Sequence, residues 1–238
     1  MGKNLTQQKR GKGSPTYKAP TFRAKGDTKL LNKQEATILD LIKSAFSTAP
    51  LAVLQYPDQT TSLVPAVEGM AVGDNIAIGK EAPLANANAL PLELIPEGAS
   101  ICCIEARPGD GGKFMKASGA SAKVMAKTSK GVVVQFKSKK TKTFNPQCLA
   151  LLGVVAGGGR VDKPFLKAGN KYKAMKAKNK YYPSVSAASM NAVDHPLGGK
   201  RSSRKGRPTI APANAPPGRK VGMIRPRFTG RARGKRKK

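Results

Sequence analysis

The chain has 238 residues and a net charge of +31, with 44 Lys and Arg residues against 13 Asp and Glu. This length allows one or two domains with modest cores. No apolar run approaches the roughly 20 residues of a membrane-spanning helix, and the N-terminus has no apolar segment of the signal-peptide type. We therefore expect no membrane partner.

The charge is divided unevenly along the chain. Residues 1–34 have a net charge of +8, residues 35–112 of −7, and residues 113–238 of +30. A free segment with so many like charges repels itself, whereas a polyanion neutralises it and releases condensed counterions. Nucleic acid is the expected partner of the basic ends, and anionic lipid is the alternative.

Residues 1–34 are predicted to form an extended basic arm, since they show no sustained period of 2 or 3.6. From Ala36 onward, short segments rich in Val, Ile, Leu and Thr alternate with turn-like sequences such as VEGMAVGD. Strands at this spacing are typical of a small β barrel, which we place at residues 35–98.

A second series of apolar segments predicts another small barrel at residues 99–160. Within it, KVMAKTSKGVVVQF is typical of a hairpin, because a Ser-Lys-Gly turn separates two strand-like runs. The predicted fold is therefore mostly β, with two small barrels in tandem between irregular basic extensions.

Residues 161–238 are predicted to be a basic C-terminal extension. Clusters of Pro, Gly, Lys, Arg and Asn replace the strand pattern, and only a short helix is expected, near Lys171–Lys178. The remainder cannot bury enough apolar surface to offset its ordering entropy, so we expect its partner to order it.

The three cysteines do not have the spacing of a metal site. Cys102, Cys103 and Cys148 form no CxxC motif, and the chain has a single histidine, so a four-ligand zinc site is excluded. Adjacent residues of a strand point to opposite faces, so Cys102 and Cys103 are predicted to be small buried or half-buried thiols on opposite sides. No metal ligand is predicted.

The segment RPGDGGKF, Arg107 to Phe114, suggests a phosphate-binding loop but lacks the P-loop spacing, because Phe114 stands where Ser or Thr would follow the lysine. Nucleotide hydrolysis is therefore unsupported. We expect the backbone of this loop and Lys113 to approach an RNA phosphate.

The segment from Val154 to Lys173 is more informative. Its glycines at 157–159 allow close backbone approach, and five cations follow within fourteen residues, opposed only by Asp162. Neighbouring aromatic residues indicate stacking on unpaired RNA bases. A flexible linker with solvated charges is the alternative interpretation.

His195, in SMNAVDHPLGGK, is the only histidine. Its neighbour Asp194 is poorly placed to orient it as a catalytic triad requires, and no other histidine exists. We interpret His195 as an RNA contact. The alternatives are an acyl-transfer enzyme with His195 as general base, and a chromatin or transcription factor with basic tails that prefers duplex DNA.

Seven stretches, in order from arm to tail, resemble the family of ribosomal protein two of the large subunit in its archaeal and eukaryotic form. They are RGKGSPTYKAPTFR (Arg10–Arg23), LPLELIPEG (Leu90–Gly98), PGDGGKF (Pro108–Phe114), NPQC (Asn145–Cys148), GVVAGGGRVDKPFLKAGN (Gly153–Asn170), MNAVDHPLGG (Met190–Gly199) and NAPPGRKVG (Asn214–Gly222).

The resemblance implies an OB-like barrel followed by an SH3-like barrel, with both extensions threaded into ribosomal RNA. It also implies a position near the peptidyl-transferase centre and roles in assembly, subunit association and tRNA placement. The expected partners are large-subunit RNA, other ribosomal proteins and the small subunit. The chain would be a single-copy, non-enzymatic component of cytoplasmic ribosomes, without a cofactor of its own beside possible RNA-associated Mg²⁺.

The basic and polar positions of these segments are the candidate RNA contacts. They are Arg10, Lys12, Arg23, Lys113, Gly157, Gly158, Gly159, Arg160, Lys163, Lys167, Asn170, Lys171, Lys173, Lys176, Lys178, Asn191, Asp194, His195, Arg219 and Lys220.

Overall fold

The computed structural model describes residues 2–199 and 210–224, and the chain divides into two compact units. The first, Thr21–Leu166, is called the barrel unit. The second, called the terminal unit, combines Met1–Pro20 with Lys167–Lys238. The parts of the predicted C-terminal extension at residues 200–209 and 225–238 lie outside the described residues.

The barrel unit consists of short strands joined by turns. They are β1 (Glu35–Ile42), β2 (Leu51–Gln55), β3 (Thr61–Pro65), β4 (Asn75–Ala77), β5 (Ala89–Pro91), β6 (Ser100–Cys102), β7 (Ala122–Thr128), β8 (Gly131–Phe136), β9 (Thr141–Phe144) and β10 (Leu149–Leu152). Strand residues far outnumber helical ones in the described chain, so the predicted mostly β fold class is confirmed.

The first sheet has the order β3-β2-β1-β4, and its pairs are antiparallel. A bulge in β1 between Ile38 and Asp40 shifts the register against β2. Such a bulge increases the local twist of the sheet. Ile38, Leu54 and Val64 project from three neighbouring strands into the first hydrophobic core.

The second sheet has the order β5-β10-β6-β7-β8-β9. Strands β7 and β8 form the predicted hairpin, with Thr128 paired to Gly131 and Ser129-Lys130 as the turn. The hairpin prediction is confirmed, because here local turn chemistry and strand periodicity agree with the tertiary pairing.

Strand β10 lies between two cores. Leu149 and Leu151 join the first core, whereas Ala150 and Leu152 join the second, which also holds Val124, Val134 and Phe144. This division follows the period-2 alternation of a strand. Both faces of β10 are therefore buried, which explains its continuous apolar sequence.

The division between the two sheets differs from the predicted boundary at residue 98. Strand β5 pairs with β10, and Leu92 and Ile95 are buried in the second core. Residues 28–31 of the predicted arm also belong to the barrel unit, where Leu30 is buried and Lys29 N–H donates to the Leu63 carbonyl. These assignments depend on long-range pairing that short sequence segments do not reveal.

Cys102 and Cys103 do not lie on opposite sides as predicted. Both side chains are buried in the first core, because β6 ends at Cys102 and Cys103 has a φ of 48°. This left-handed conformation breaks the alternation of the strand. The prediction that the thiols are buried is confirmed, and the prediction of opposite faces is wrong.

The terminal unit contains two α helices, two short 3-10 helices (Pro15–Tyr17 and Ala187–Ser189) and a two-strand pair among its described residues. The α helices and strands are α1 (Thr6–Gly11), α2 (Ala168–Ala177), β11 (Ile210–Ala211) and β12 (Met223–Ile224). Helix α2 confirms the helix predicted near residues 171–178. Helix α1 contradicts the wholly extended arm: Leu5 N–H donates to Gln8 Oε1 at 2.8 Å, and the buried Leu5 side chain anchors the turn.

In the described part of the chain, no helix combines the length and apolar character that crossing a membrane requires.

Candidate nucleic-acid interface

The positive charge is concentrated in the terminal unit. Residues 1–20 and 167–238 contain 26 of the 44 Lys and Arg residues and a single acid, Asp194, which gives a net charge of +25. The barrel unit accounts for the remaining +6. The uneven distribution is the electrostatic footprint expected of a protein that binds a polyanion with its chain ends.

Helix α2 carries the densest group of predicted contacts. Lys171, Lys173 and Lys176 lie within the helix, and Lys167 and Lys178 are its N-terminal and C-terminal caps. Lys167, Asn170, Lys173 and Lys176 are exposed, whereas Lys171 and Lys178 are half-buried. The Lys171 ammonium lies 5.3 Å from the ring centroid of Tyr182.

This helix lacks the usual sources of helix stability. None of its residues is buried, and no acidic residue occurs between Asp162 and Asp194 in the sequence. Lys167 at the N-terminal cap is unfavourable for the helix dipole, and Lys167 and Lys171 repel each other at spacing i, i+4. An anionic partner along α2 would relieve each of these costs.

The glycine segment at 157–160 lies shortly before the C-terminal end of the barrel unit. Gly157 has a φ of 80°, and a Cβ atom on Gly119 would lie only 2.6 Å from the Cα atom of Gly158. Arg160 Nε donates to Ser118 Oγ at 2.9 Å. The predicted close backbone approach therefore occurs at Gly158, but against the protein's own backbone at Gly119. Gly159 is exposed, with no side chain crowding it.

The loop at residues 105–113 differs from the predicted phosphate cradle. The buried carboxylate of Glu105 accepts hydrogen bonds from the N–H groups of Gly109, Gly111 and Leu149, at 3.1, 3.0 and 2.9 Å. Asp110 accepts hydrogen bonds from the N–H groups of Ala106, Arg107 and Gly112.

Two carboxylates thus occupy the donors that a phosphate would require in this loop. The exposed Lys113 is the remaining candidate contact there.

The His195 segment is a compact turn in the terminal unit. The Asn191 carbonyl accepts hydrogen bonds from the N–H groups of Asp194 and His195, and Gly198 N–H donates to the His195 carbonyl. A Cβ atom on Gly198 would lie 2.3 Å from the Asn191 oxygen, so only glycine fits this turn.

The ring of His195 is held in one hydrogen-bonding state. Leu197 N–H donates to His195 Nδ1 at 3.0 Å, so the proton of the neutral ring lies on Nε2. Burial lowers the pKa of His195 from its usual value of 6.5, which favours this neutral form. The remaining ring nitrogen is a hydrogen-bond donor, whereas a general base requires a free lone pair.

The N-terminal arm is attached to the His195 segment. Lys3 N–H donates to the Val193 carbonyl at 2.8 Å, and Lys3 Nζ forms an ion pair with Asp194 at 3.2 Å. Asp194 was predicted as an RNA contact. In the structure it binds a lysine of the arm.

The arm also contacts the chain after α2. The Arg10 guanidinium lies 5.6 Å from the ring centroid of Tyr181. The side-chain amide of Asn179 donates to the carbonyls of Pro15 and Lys18, at 3.0 and 2.7 Å. The two chain ends therefore form one structural unit, a result that local sequence patterns do not show.

The other predicted contacts are spread over both units. Lys12, Lys163 and Asn191 are exposed, as are Arg23, which lies 5.4 Å from the ring of Phe22, and Arg219. Lys220 Nζ donates to the Ala213 carbonyl at 3.3 Å. Within the barrel unit, the structure brings Gly158 and Arg160 together at residues 118–119 and leaves Lys113 on a different loop.

Sequence reasoning missed Lys3, Asn179 and Lys142. The Lys142 ammonium lies 4.3 Å from the ring centroid of Phe114 and 4.9 Å from that of Phe144. The lysine-rich KSKKTK sequence marks this loop as cationic. No local signal marks Lys3 or Asn179, because their partners lie at the opposite end of the chain.

The cysteines are shielded from reaction. Burial raises the pKa of Cys103 to about 11 and also raises the pKa values of Cys102 and Cys148. Thiolates, the reactive and metal-binding form, are thereby disfavoured. Within residues 2–199 and 210–224, no three His, Cys, Asp or Glu side chains are grouped to hold a metal ion, and the prediction of no metal site stays a prediction.

Fold and charge together define a class: a basic protein with a small β-barrel body and cationic chain ends, the features of nucleic-acid-binding proteins. The family model described as Ribosomal Proteins L2, C-terminal domain, matches residues 85–217.

Curated relatives extend this similarity to nearly the whole chain, and each carries the name large ribosomal subunit protein uL2. The Archaeoglobus fulgidus protein is 47% identical over 234 residues, covering 97% of this chain and 99% of the relative. The Haloarcula marismortui protein is 44% identical over 236 residues, covering 97% and 98%. The Halorubrum lacusprofundi protein is 45% identical over 240 residues, covering 99% and 100%. The chain belongs to the L2 family of ribosomal proteins, and the predicted family membership is confirmed.

Proposed function

We propose that the chain is a structural constituent of the large ribosomal subunit that binds large-subunit ribosomal RNA near the peptidyl-transferase centre. There it supports subunit assembly, association with the small subunit and tRNA placement. Family membership and the printed names of the relatives support the ribosomal role.

One observation carries the RNA-binding part of the proposal. The terminal unit has a net charge of +25, and its helix α2 exposes lysines while burying no residue. Such a unit is stabilised when its Lys and Arg side chains neutralise RNA phosphates and release the counterions condensed on them. The barrel unit, by contrast, contains two apolar cores.

Direct participation of His195 in peptidyl transfer is the second candidate function. The hydrogen bond from Leu197 N–H to Nδ1 disfavours it, because the nitrogen that remains is a donor. We therefore assign His195 as an RNA contact and propose a non-enzymatic protein. Its partners are large-subunit RNA, other ribosomal proteins and the small subunit, with one copy in each cytoplasmic ribosome and no cofactor of its own.

The proposal is tested by the salt dependence of binding between the full chain and large-subunit ribosomal RNA. If ten phosphates are neutralised, log K should fall by about 7–9 units per tenfold increase in salt. Duplex DNA of equal length is the control for a chromatin or transcription factor. Binding to folded RNA that is independent of salt, or a preference for the DNA, would contradict the proposal.

Anionic vesicles provide the control for a lipid partner. Co-sedimentation of the chain with large subunits in high-salt gradients, without partition onto vesicles, is expected. The His195→Gln variant tests catalysis: loss of a general base lowers turnover by about 10²–10⁴-fold, whereas the RNA-contact role affects assembly alone.

A further inference from the structure

A cleft in the terminal unit has the size of a small-molecule site. It has a volume of about 730 Å³ and is lined by residues 2–5, Gln8, 192–197, 210–212, 217–219 and Val221. Ligand sites have volumes of about 300–1,000 Å³ and combine apolar walls with a few polar groups. The segments that line this cleft come from both chain ends, so it exists only when arm and tail fold together.

The polar groups around the cleft suit an anionic ligand with hydrogen-bond acceptors. Lys3 and Arg219 provide two cations, and Asp194, the one carboxylate among the described residues that line the cleft, is paired with Lys3. Asn4 supplies a side-chain amide, a group that reads base edges in nucleic acids. His195 lines the same cleft with Nδ1 already bonded, which leaves Nε2–H as its donor.

Apolar surface completes the cleft. Leu5 and Ala211 are buried beside it, and Pro196 and Pro212 contribute flat, rigid side chains to its lining. Inorganic phosphate alone would leave this surface unused. A purine or pyrimidine base has two apolar faces and a polar edge, so a nucleotide matches both kinds of lining group.

We propose that the cleft binds a single unpaired nucleotide of RNA, with its base between the apolar walls and its phosphate at Arg219 and Lys3. The inference rests on the proposed RNA-binding function and deepens it. The cleft would make a base-specific contact, whereas the phosphate contacts of the basic surface do not depend on the RNA sequence. A base-paired nucleotide does not fit, because its edges and faces are already occupied in the duplex.

His195 is the only histidine, so its ring signals report on the cleft without ambiguity. The full chain is labelled with ¹⁵N-histidine and titrated with a short single-stranded oligoadenylate, with a blunt RNA duplex of equal phosphate number, and with inorganic phosphate. We expect a saturable shift of the Nε2 signal with the single strand and none with the other two probes. An unmoved signal at saturation, or the same shift with phosphate, would overturn the inference.

Arg219 and Lys220 form a matched pair for a second measurement. Arg219 lines the cleft and its neighbour Lys220 does not, yet each substitution by alanine removes one positive charge. Arg219→Ala should lower the ratio of single-strand to duplex affinity about tenfold, since loss of a stacking or phosphate contact has this size. Lys220→Ala should weaken both alike and leave the ratio unchanged.

The two proposals fail in different ways. If both variants have the same ratio of single-strand to duplex affinity but still bind large-subunit RNA in a salt-dependent way, the nucleotide site is disproved and the proposed function stands. Loss of RNA binding by the unaltered chain would remove both.

Discussion

The barrel unit and the terminal unit of this protein are stabilised by different forces. Among the described residues, the buried apolar side chains lie in the barrel unit, except for Leu5 and Ala211. Full burial of a large apolar side chain contributes about 1.5–3 kcal/mol. The terminal unit has little of this source of stability and carries a net charge of +25, so we expect its order to depend on the neutralisation of charge by a partner.

The two units of this strongly cationic chain also use their acidic side chains differently. Acidic side chains in the barrel unit are used for structure, as Glu105 and Asp110 show by binding backbone N–H groups. In the terminal unit, the lone acid Asp194 is paired with Lys3. Four measurements test this contrast, in order of decreasing expected effect.

Glu105→Ala should lower the free energy of unfolding of the full chain by about 4 kcal/mol, because buried donors left without an acceptor cost about 1–3 kcal/mol each. Urea unfolding followed by circular dichroism measures the loss. Glu97→Ala is the control, since Glu97 is exposed and accepts a single hydrogen bond, from Lys127 N–H. Equal losses in the two variants would contradict the structural role of Glu105.

Leu151→Ala should lower the free energy of unfolding by about 3 kcal/mol, because a buried Leu is replaced by a cavity. Leu151 is fully buried in β10. Leu166→Ala is the matched control, because the side chain of Leu166 is 89% exposed. This substitution should lower the free energy of unfolding by less than about 0.5 kcal/mol. The same thermal unfolding midpoint for both variants would show that burial of Leu151 in β10 does not stabilise the core.

Replacing four lysines of the α2 region with Gln should weaken RNA binding without destabilising α2, since Gln and Lys have similar helix propensities. The variant changes Lys171, Lys173, Lys176 and Lys178. The salt slope of binding to large-subunit RNA should fall by about 3. The same change at four exposed lysines of the barrel unit should lower the slope less; an equal decrease would remove the contrast between the units.

The charge of His195 should respond only weakly to pH near neutrality. Burial lowers the pKa of the folded ring below its unfolded value of 6.5, so the unfolded chain binds more protons in the window between the two values. The stability of the terminal unit therefore rises with pH through this window and decreases as pH falls through it. Titration of the single imidazole by NMR checks the direction; a midpoint above 6.5 would contradict it.

Much of the fold could be predicted from local patterns. The hairpin of β7 and β8, the helix α2 and the tandem β segments follow from turn residues and from strand and helix periods. Strand β5, three residues long, was missed because it is recognised only by its pairing with β10. Helix α1 was missed because its stability depends on Leu5 being buried by residues distant in the sequence.

The sequence predicted the cationic composition of the candidate site, but not the contacts that its residues make. The sequence indicates which segments are cationic, and the exposed lysines of α2 agree with that. It does not indicate that Gly109 and Gly111 donate to Glu105, since the same carboxylate also binds Leu149, 44 residues away. Nor does it indicate that Asp194 binds Lys3 or that Leu197 N–H fixes the ring of His195.

The amino-acid sequence by itself determined the charge distribution, the mostly β class and the family, because these depend on residue identity and short-range periodicity. Tertiary structure alone decided that both chain ends form one unit, that β10 separates two cores, and that His195 presents a donor beside a cleft. The physical reason is that such features come from contacts between distant residues, whose hydrogen bonds and burial are set only when the whole chain has folded.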